Sequence, residues 1–132
     1  MLEDPLQPHE ILMLQSDPAF NRKLWESGLR GIYVYHPVQR AKPGATVLLR
    51  HPTDKNAYGQ RPIAVVAPYP RGTTFFLGTD ETWRWRDPYA ERYMDPFWRN
   101  VVRHLAQGRL QRRNDLLELT VDKTLLETGD RV

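Results

Sequence analysis

Pro62-Ile63-Ala64-Val65-Val66-Ala67-Pro68-Tyr69 and Thr73-Thr74-Phe75-Phe76-Leu77-Gly78, separated by Pro70-Arg71-Gly72, decide the fold class. Both runs are rich in β-branched and aromatic residues, which fit a pleated surface, and a short Gly-containing connection between two such runs predicts a β-hairpin. The stretch Thr74-Phe75-Phe76-Leu77 is continuous rather than alternating, so this strand is expected to be buried on both faces. Upstream, Ala45 to Arg50 reads as another strand, entered through the turn signal Lys42-Pro43-Gly44. Residues 52–61 are polar and read as a loop. Gly31 to His36 (Gly-Ile-Tyr-Val-Tyr-His) reads as a further strand, ended by Pro37.

Two helices frame these strands. Asp17-Pro18 has the grammar of a helix start, an N-cap carboxylate followed by proline in the first turn. That helix is expected to run to about Glu26 and stop at Gly28, with Phe20, Leu24 and Trp25 on its apolar face. Ahead of it, His9 to Leu14 is a short apolar run too brief to classify. Asp95-Pro96 repeats the same grammar. From there Phe97, Trp98, Val101, Val102 and Leu105 form one apolar stripe, with Arg99, Asn100, Arg103 and Gln107 opposite and Gly108 placed as a C-cap. Beyond Arg109, Leu117, Leu119 and Val121 alternate with Glu118, Thr120 and Asp122 in the pattern of a half-exposed strand, and Gly129-Asp130 opens a turn. The fold class is therefore α/β or α+β.

Composition excludes several classes of function. The chain has 132 residues, 40% hydrophobic and 27% charged, an ordinary globular balance. No stretch approaches the ~20 apolar residues needed to span a bilayer, so this segment is not expected to insert directly into a membrane. There is no cysteine, which removes disulfides, thiolate metal sites and a cysteine nucleophile together. His9, His36, His51 and His104 lack ligand spacing, so neither a metal nor a cofactor is expected. The net charge of +3 invites a nucleic-acid reading. Many arginines, however, sit beside aromatics or carboxylates, where arginine stacks and forms bidentate pairs. The basic run from Arg99 to Arg113 has no interleaved aromatic for base stacking, and no nucleic-acid partner is expected.

One stretch carries a family resemblance. Gly78-Thr79-Asp80-Glu81-Thr82-Trp83-Arg84-Trp85-Arg86, followed by Arg92-Tyr93 and Phe97-Trp98, resembles the final segment of class I glutamine-amidotransferase-like domains within large bacterial membrane proteins, often next to von Willebrand A-type domains. Tyr35-His36-Pro37-Val38 and Ala41 to Leu48 are similar to the segment that precedes it there. The alternating tail with Asp122-Lys123 and Gly129-Asp130 resembles the opening of the immunoglobulin-like domain that often follows. Two positions depart from the pattern: Pro96, where relatives continue a helix, and His104, where an aromatic is more usual.

The resemblance implies a truncated flavodoxin-like, amidotransferase-like layer over residues 1–110. Residues 111–132 would then be a connector and the first strand of a β-sandwich. It also implies an extracytoplasmic, periplasmic setting in a membrane-anchored parent protein, whose other domains are the expected partners. A sheet cut from such a parent is expected to form a homo-oligomer through its unpaired strand edges. Class I amidotransferases pair a cysteine nucleophile with a later His and Glu. Neither the cysteine nor a His-x-Glu pair is present, so no catalytic residue and no enzyme activity are expected.

The candidate ligand-binding residues are Thr79, Asp80, Trp83, Arg84, Trp85 and Arg86, just past the carboxyl end of a strand, where open α/β sheets place ligands. If extended, the stretch would send both indoles to one side and both guanidiniums to the other, an aromatic and cationic shelf for a small anion or carbohydrate. The plainer reading has the tryptophans covering the sheet, the arginines paired with Asp80, Asp87 or Glu91, and Thr79 and Asp80 capping a turn. The expected function is a non-catalytic structural or interaction module of a larger envelope protein, with ligand sensing through the Trp-Arg stretch as the alternative.

Overall fold

The hairpin is present and belongs to a three-stranded antiparallel sheet in the order β1-β2-β3, with β1 at Thr46–Asn56, β2 at Gly59–Tyr69 and β3 at Gly72–Leu77. The structure, a computed structural model, describes residues 2–5, 7–70 and 72–112. The expected strand at Leu117–Val121 and the turn at Gly129-Asp130 lie outside the described residues. With helices packed against the sheet, the architecture is α+β.

β2 is the central strand, and its middle, Pro62 to Val66, is buried. Proline cannot donate to a ladder and is confined in sheets to edges and bulges. Here Pro62 faces Arg50, where the β1–β2 register is irregular on both sides. The β2–β3 ladder is regular, from Ala64 opposite Leu77 to Tyr69 opposite Gly72. β3 is not buried on both faces as expected. Phe75 packs inward, 6.2 Å from the Phe97 ring, while Phe76 is turned to solvent. β3 is an edge strand with one covered face.

Residues 52–61 are not a loop. They carry β1 and β2 to a tight connection where Asn56 pairs with Gly59. Asn56 Oδ1 accepts the Tyr58 N–H at 2.8 Å, and Gly59 takes φ +98°, a conformation open to glycine. The polar composition reflects exposure of the hairpin tip. Residues 2–3 border the opposite part of β1: Leu2 bridges Leu49, and the Glu3 N–H donates to the Leu48 carbonyl at 3.0 Å.

The first helix, α1 (Pro18–Lys23), starts as predicted. Asp17 accepts the N–H groups of Ala19 and Phe20 at 2.7 and 3.1 Å. Its buried residue is not Phe20, which is 68% exposed, but Asn21. The Asn21 amide accepts from the N–H groups of Leu14 and Gln15 and donates to the Leu12 carbonyl, satisfying three backbone groups in the preceding turn. A wider π-helical turn, Leu24–Gly28, follows, closed by the Leu29 N–H on the Leu24 carbonyl. In this turn Leu24 is buried and Trp25 packs against the core, whereas Phe20 does not.

The second helix, α2 (Met94–Arg112), runs through Gly108 instead of ending there, and Pro96 sits in its first turn. Of the predicted stripe, Phe97 and Val101 are buried and Leu105 is half-buried, whereas Val102 is exposed. Asn100 donates to the carbonyls of Glu10, Ile11 and Met13 at 3.1–3.4 Å, docking the short 3-10 helix Glu10–Leu12 on α2. Phe97 lies at the centre of the core. The rings of Trp25, Phe75 and Trp85 surround it edge-on at 5.2–6.4 Å.

Gly31 to His36 does not form a strand. It runs beside the end of β3 and pairs through backbone once, where the His36 N–H donates to the Gly78 carbonyl at 2.6 Å. Side chains satisfy the groups that a ladder would have paired.

Candidate functional site

The Trp-Arg stretch is not extended. It folds as a 3-10 helix, Glu81–Arg86, immediately after β3 and the Gly78–Asp80 turn. Three residues per turn give three faces, with side chains three apart aligned. Thr82 and Trp85 face the core, Trp83 and Arg86 face solvent, and Glu81 and Arg84 face the extended segment at Tyr33 and Val34.

The inward face fixes the helix. Trp85 is 2% exposed, its ring meets Trp25 and Phe97 edge-on, and its Nε1 donates to the Arg30 carbonyl at 3.2 Å. The Thr82 hydroxyl accepts from Trp98 Nε1 at 3.3 Å. Truncating a buried indole of this size costs about 3–5 kcal/mol.

The lateral face holds the neighbouring segment. The Glu81 carboxylate accepts the backbone N–H groups of Tyr33 and Val34 through one oxygen, at 2.5 and 2.9 Å. Those bonds, Val34 first and Tyr33 next, hold its carboxyl below the usual glutamate range. Buried Thr79 donates its hydroxyl to the Val34 carbonyl at 2.8 Å and accepts the Glu81 N–H at 3.2 Å. One short turn therefore anchors both donors and acceptors of the extended segment. The Arg84 guanidinium lies 4.3 Å over the Tyr33 ring and 5.5 Å from the Trp83 ring, and its Nε is buried with no hydrogen-bond partner among the described residues.

The outcome is an exposed aromatic and cationic face. Tyr33 is 76% and Trp83 is 55% exposed, with the Arg84 guanidinium near both rings, and Val34, next to Tyr33, is exposed as well. Of the six candidate residues, Trp83 and Arg84 share this face. Trp85 belongs to the core and Thr79 to the anchoring turn, while Asp80 is exposed at the start of the 3-10 helix without capping it. Arg86 points outward and pairs with Glu91 at 2.9 Å, and Asp87 pairs with Arg30 at 2.6 Å. The sequence reading missed Tyr33, Val34 and Glu81. No local pattern marks them, because the contacts join residues 47 and 48 positions apart.

A second constellation docks the same segment on the long hairpin. The Tyr35 hydroxyl donates to Asp54 and its ring stacks on His51 at 4.8 Å, while His51 Nδ1 accepts the N–H groups of Thr53 and Asp54. The Tyr35 bond holds the Asp54 carboxyl low, and the same bond pushes the phenol up. Arg61 Nε lies 3.1 Å from Asp54, within ion-pairing reach but off the hydrogen-bond direction. Among the described residues, no group of three His, Asp or Glu side chains is placed to hold a metal ion, and no helix is long and apolar enough to cross a membrane. No family model, curated protein or solved structure matches this chain.

Proposed function

We propose that the chain is a non-catalytic interaction module that uses the Tyr33–Val34–Trp83–Arg84 face to dock against another domain of the same parent polypeptide. The observation that carries the reading is the exposure of two large aromatics stacked with one arginine, beside an exposed Val34 on a segment held in place by Glu81 and Thr79. Aromatic and arginine side chains at a pre-positioned patch are the usual anchors of a protein–protein contact. In this reading the sheet is the antiparallel terminal part of a larger amidotransferase-like, flavodoxin-like domain in a periplasmic, membrane-anchored protein. An immunoglobulin-like domain follows it, and an isolated fragment forms homo-oligomers. The residue resemblance supports the assignment.

The alternative, a carbohydrate or small anion held on the Trp-Arg stretch, has the exposed Trp83 ring in its favour. Arg84 is engaged with Tyr33 and Arg86 with Glu91, so ring stacking rather than charge would carry it. Hydroxyl-radical footprinting of the isolated chain and of the whole natural polypeptide separates these readings from the docking one. Docking predicts that Tyr33 and Trp83 lose several-fold reactivity in the whole polypeptide while Tyr58 and Tyr69 do not. Equal reactivity of Tyr33 and Trp83 in both would overturn it.

A further inference from the structure

The side of the sheet edge bordered by residues 39–45 holds a cleft of about 450 Å³. One wall is the loop Gln39 to Ala45, the other is the tip of the β1–β2 hairpin, and Val47 and Arg50 of β1 line the floor. The volume falls in the range of small-molecule sites, about 300–1,000 Å³.

The walls are fixed by the fold. Asn56 Nδ2 donates to the Gln39 carbonyl at 2.7 Å, and the Arg61 guanidinium donates to the Val38 carbonyl at 3.3 Å, so the hairpin clamps the loop at its start. At its far end the Ala45 N–H closes a turn on the Lys42 carbonyl at 3.1 Å, with Gly44 at φ +80°. Arg40 lies 4.8 Å over the Tyr58 ring, which holds its guanidinium at the mouth. Arg50 in the floor is engaged by Glu3 and by the Gln60 carbonyl. Arg40 and Lys42 have no ion-pair partner among the described residues, and no Asp or Glu lines the cleft. These two cations, in a concave site lined by no acid, produce a focused positive potential, while Arg50 beneath them is already neutralised by Glu3.

We propose that this cleft binds the phosphate end of a small phosphorylated molecule, with Arg40 and Lys42 as its principal charged contacts. Arginine supplies a planar fork to an oxyanion and lysine a point charge, a pairing suited to a phosphate's several oxygens. The site is separate from the Trp-Arg stretch, whose arginines are taken by Tyr33 and Glu91.

The test is calorimetric titration of the chain with pyrophosphate, alongside sedimentation with phosphatidylcholine vesicles containing phosphatidylglycerol. Three proteins are compared: the native chain, R40Q/K42Q, and R99Q/R103Q, which loses the same charge on exposed positions of α2. Saturable pyrophosphate binding that weakens about tenfold or more in R40Q/K42Q, as expected for two lost charge-assisted contacts, and stays unchanged in R99Q/R103Q supports a free phosphorylated ligand. Vesicle binding alone, with the same dependence on Arg40 and Lys42, supports a lipid phosphate as the source. Absence of both, or equal weakening in the two double variants, overturns the site.

Discussion

The β2–β3 hairpin and the segment Gly31–His36 have similar compositions and opposite fates. Both are rich in β-branched and aromatic residues. The hairpin closes locally, so its two runs pair at once and share a regular ladder from Ala64–Leu77 to Tyr69–Gly72. The other segment has no adjacent run to pair with. Its backbone groups are instead met by Thr79 and Glu81 and by a single carbonyl, that of Gly78. A strand-like sequence becomes a strand only where a partner edge is within reach. Elsewhere its polar backbone must be satisfied by side chains; here Ile32 and Tyr35 still pack inward while Tyr33 and Val34 are left exposed.

The largest effect that sharpens this contrast separates two tryptophans two residues apart. Trp85→Ala empties the space between Trp25 and Phe97 and should cost about 3–5 kcal/mol, a large part of a domain's usual stability. Trp83→Ala should cost under about 1 kcal/mol, since it loses only an exposed ring beside Arg84. Urea unfolding of both variants checks the pair. Equal losses would mean that the stretch is not a 3-10 helix with distinct faces.

A smaller effect is expected from Thr79→Val, which keeps the shape but removes one donor and one acceptor from the anchoring turn. It should destabilise by about 1–2 kcal/mol, again read from urea unfolding. No change at all would mean that water replaces the hydroxyl without loss.

The smallest effect concerns acid. His9, Glu10 and His104 meet where the 3-10 helix Glu10–Leu12 docks on α2, with His104 Nδ1 2.5 Å from Glu10 and 4.8 Å between the imidazoles. Burial, and next the neighbouring His104, hold His9 below the usual histidine range. The bond with His104 holds Glu10 below the usual glutamate range. Both groups therefore take up protons more readily when unfolded, so the stability each contributes is intact above its unfolded pKa and is lost as pH falls from there through the lower folded one. Tm should drop by a few degrees between about pH 7 and about pH 3, and the drop should shrink in His9→Gln/Glu10→Gln. A drop of the same size in the double variant would place the acid sensitivity elsewhere.

Much of the fold was legible where its cause is local. The hairpin, the Asp17 cap and the inward positions Phe97 and Val101 each follow from residues within a few positions of one another. Misreadings arose where tertiary contacts decide. Residues 52–61 look like a loop because a hairpin tip projecting into solvent needs no apolar face. Phe20 points outward because Asn21 satisfies the turn above it. Gly108 is no helix end, since α2 spans Met94–Arg112. At the candidate site, Trp83 and Arg84 were visible as an unusual pair. Their partners Tyr33 and Val34 were not, since Glu81 reaches them across nearly fifty residues.

Amide hydrogen exchange of Tyr33 and Val34 tests most directly whether side chains replace the missing ladder. In the native chain both amides should be protected, although both residues are exposed, because each donates to Glu81. In Glu81→Ala they should exchange at rates close to those of an unstructured peptide, while Val65 and Val66 in β2 keep their protection. Unchanged protection of Tyr33 and Val34 in Glu81→Ala would contradict the account, since a backbone ladder rather than the carboxylate would then be holding the segment.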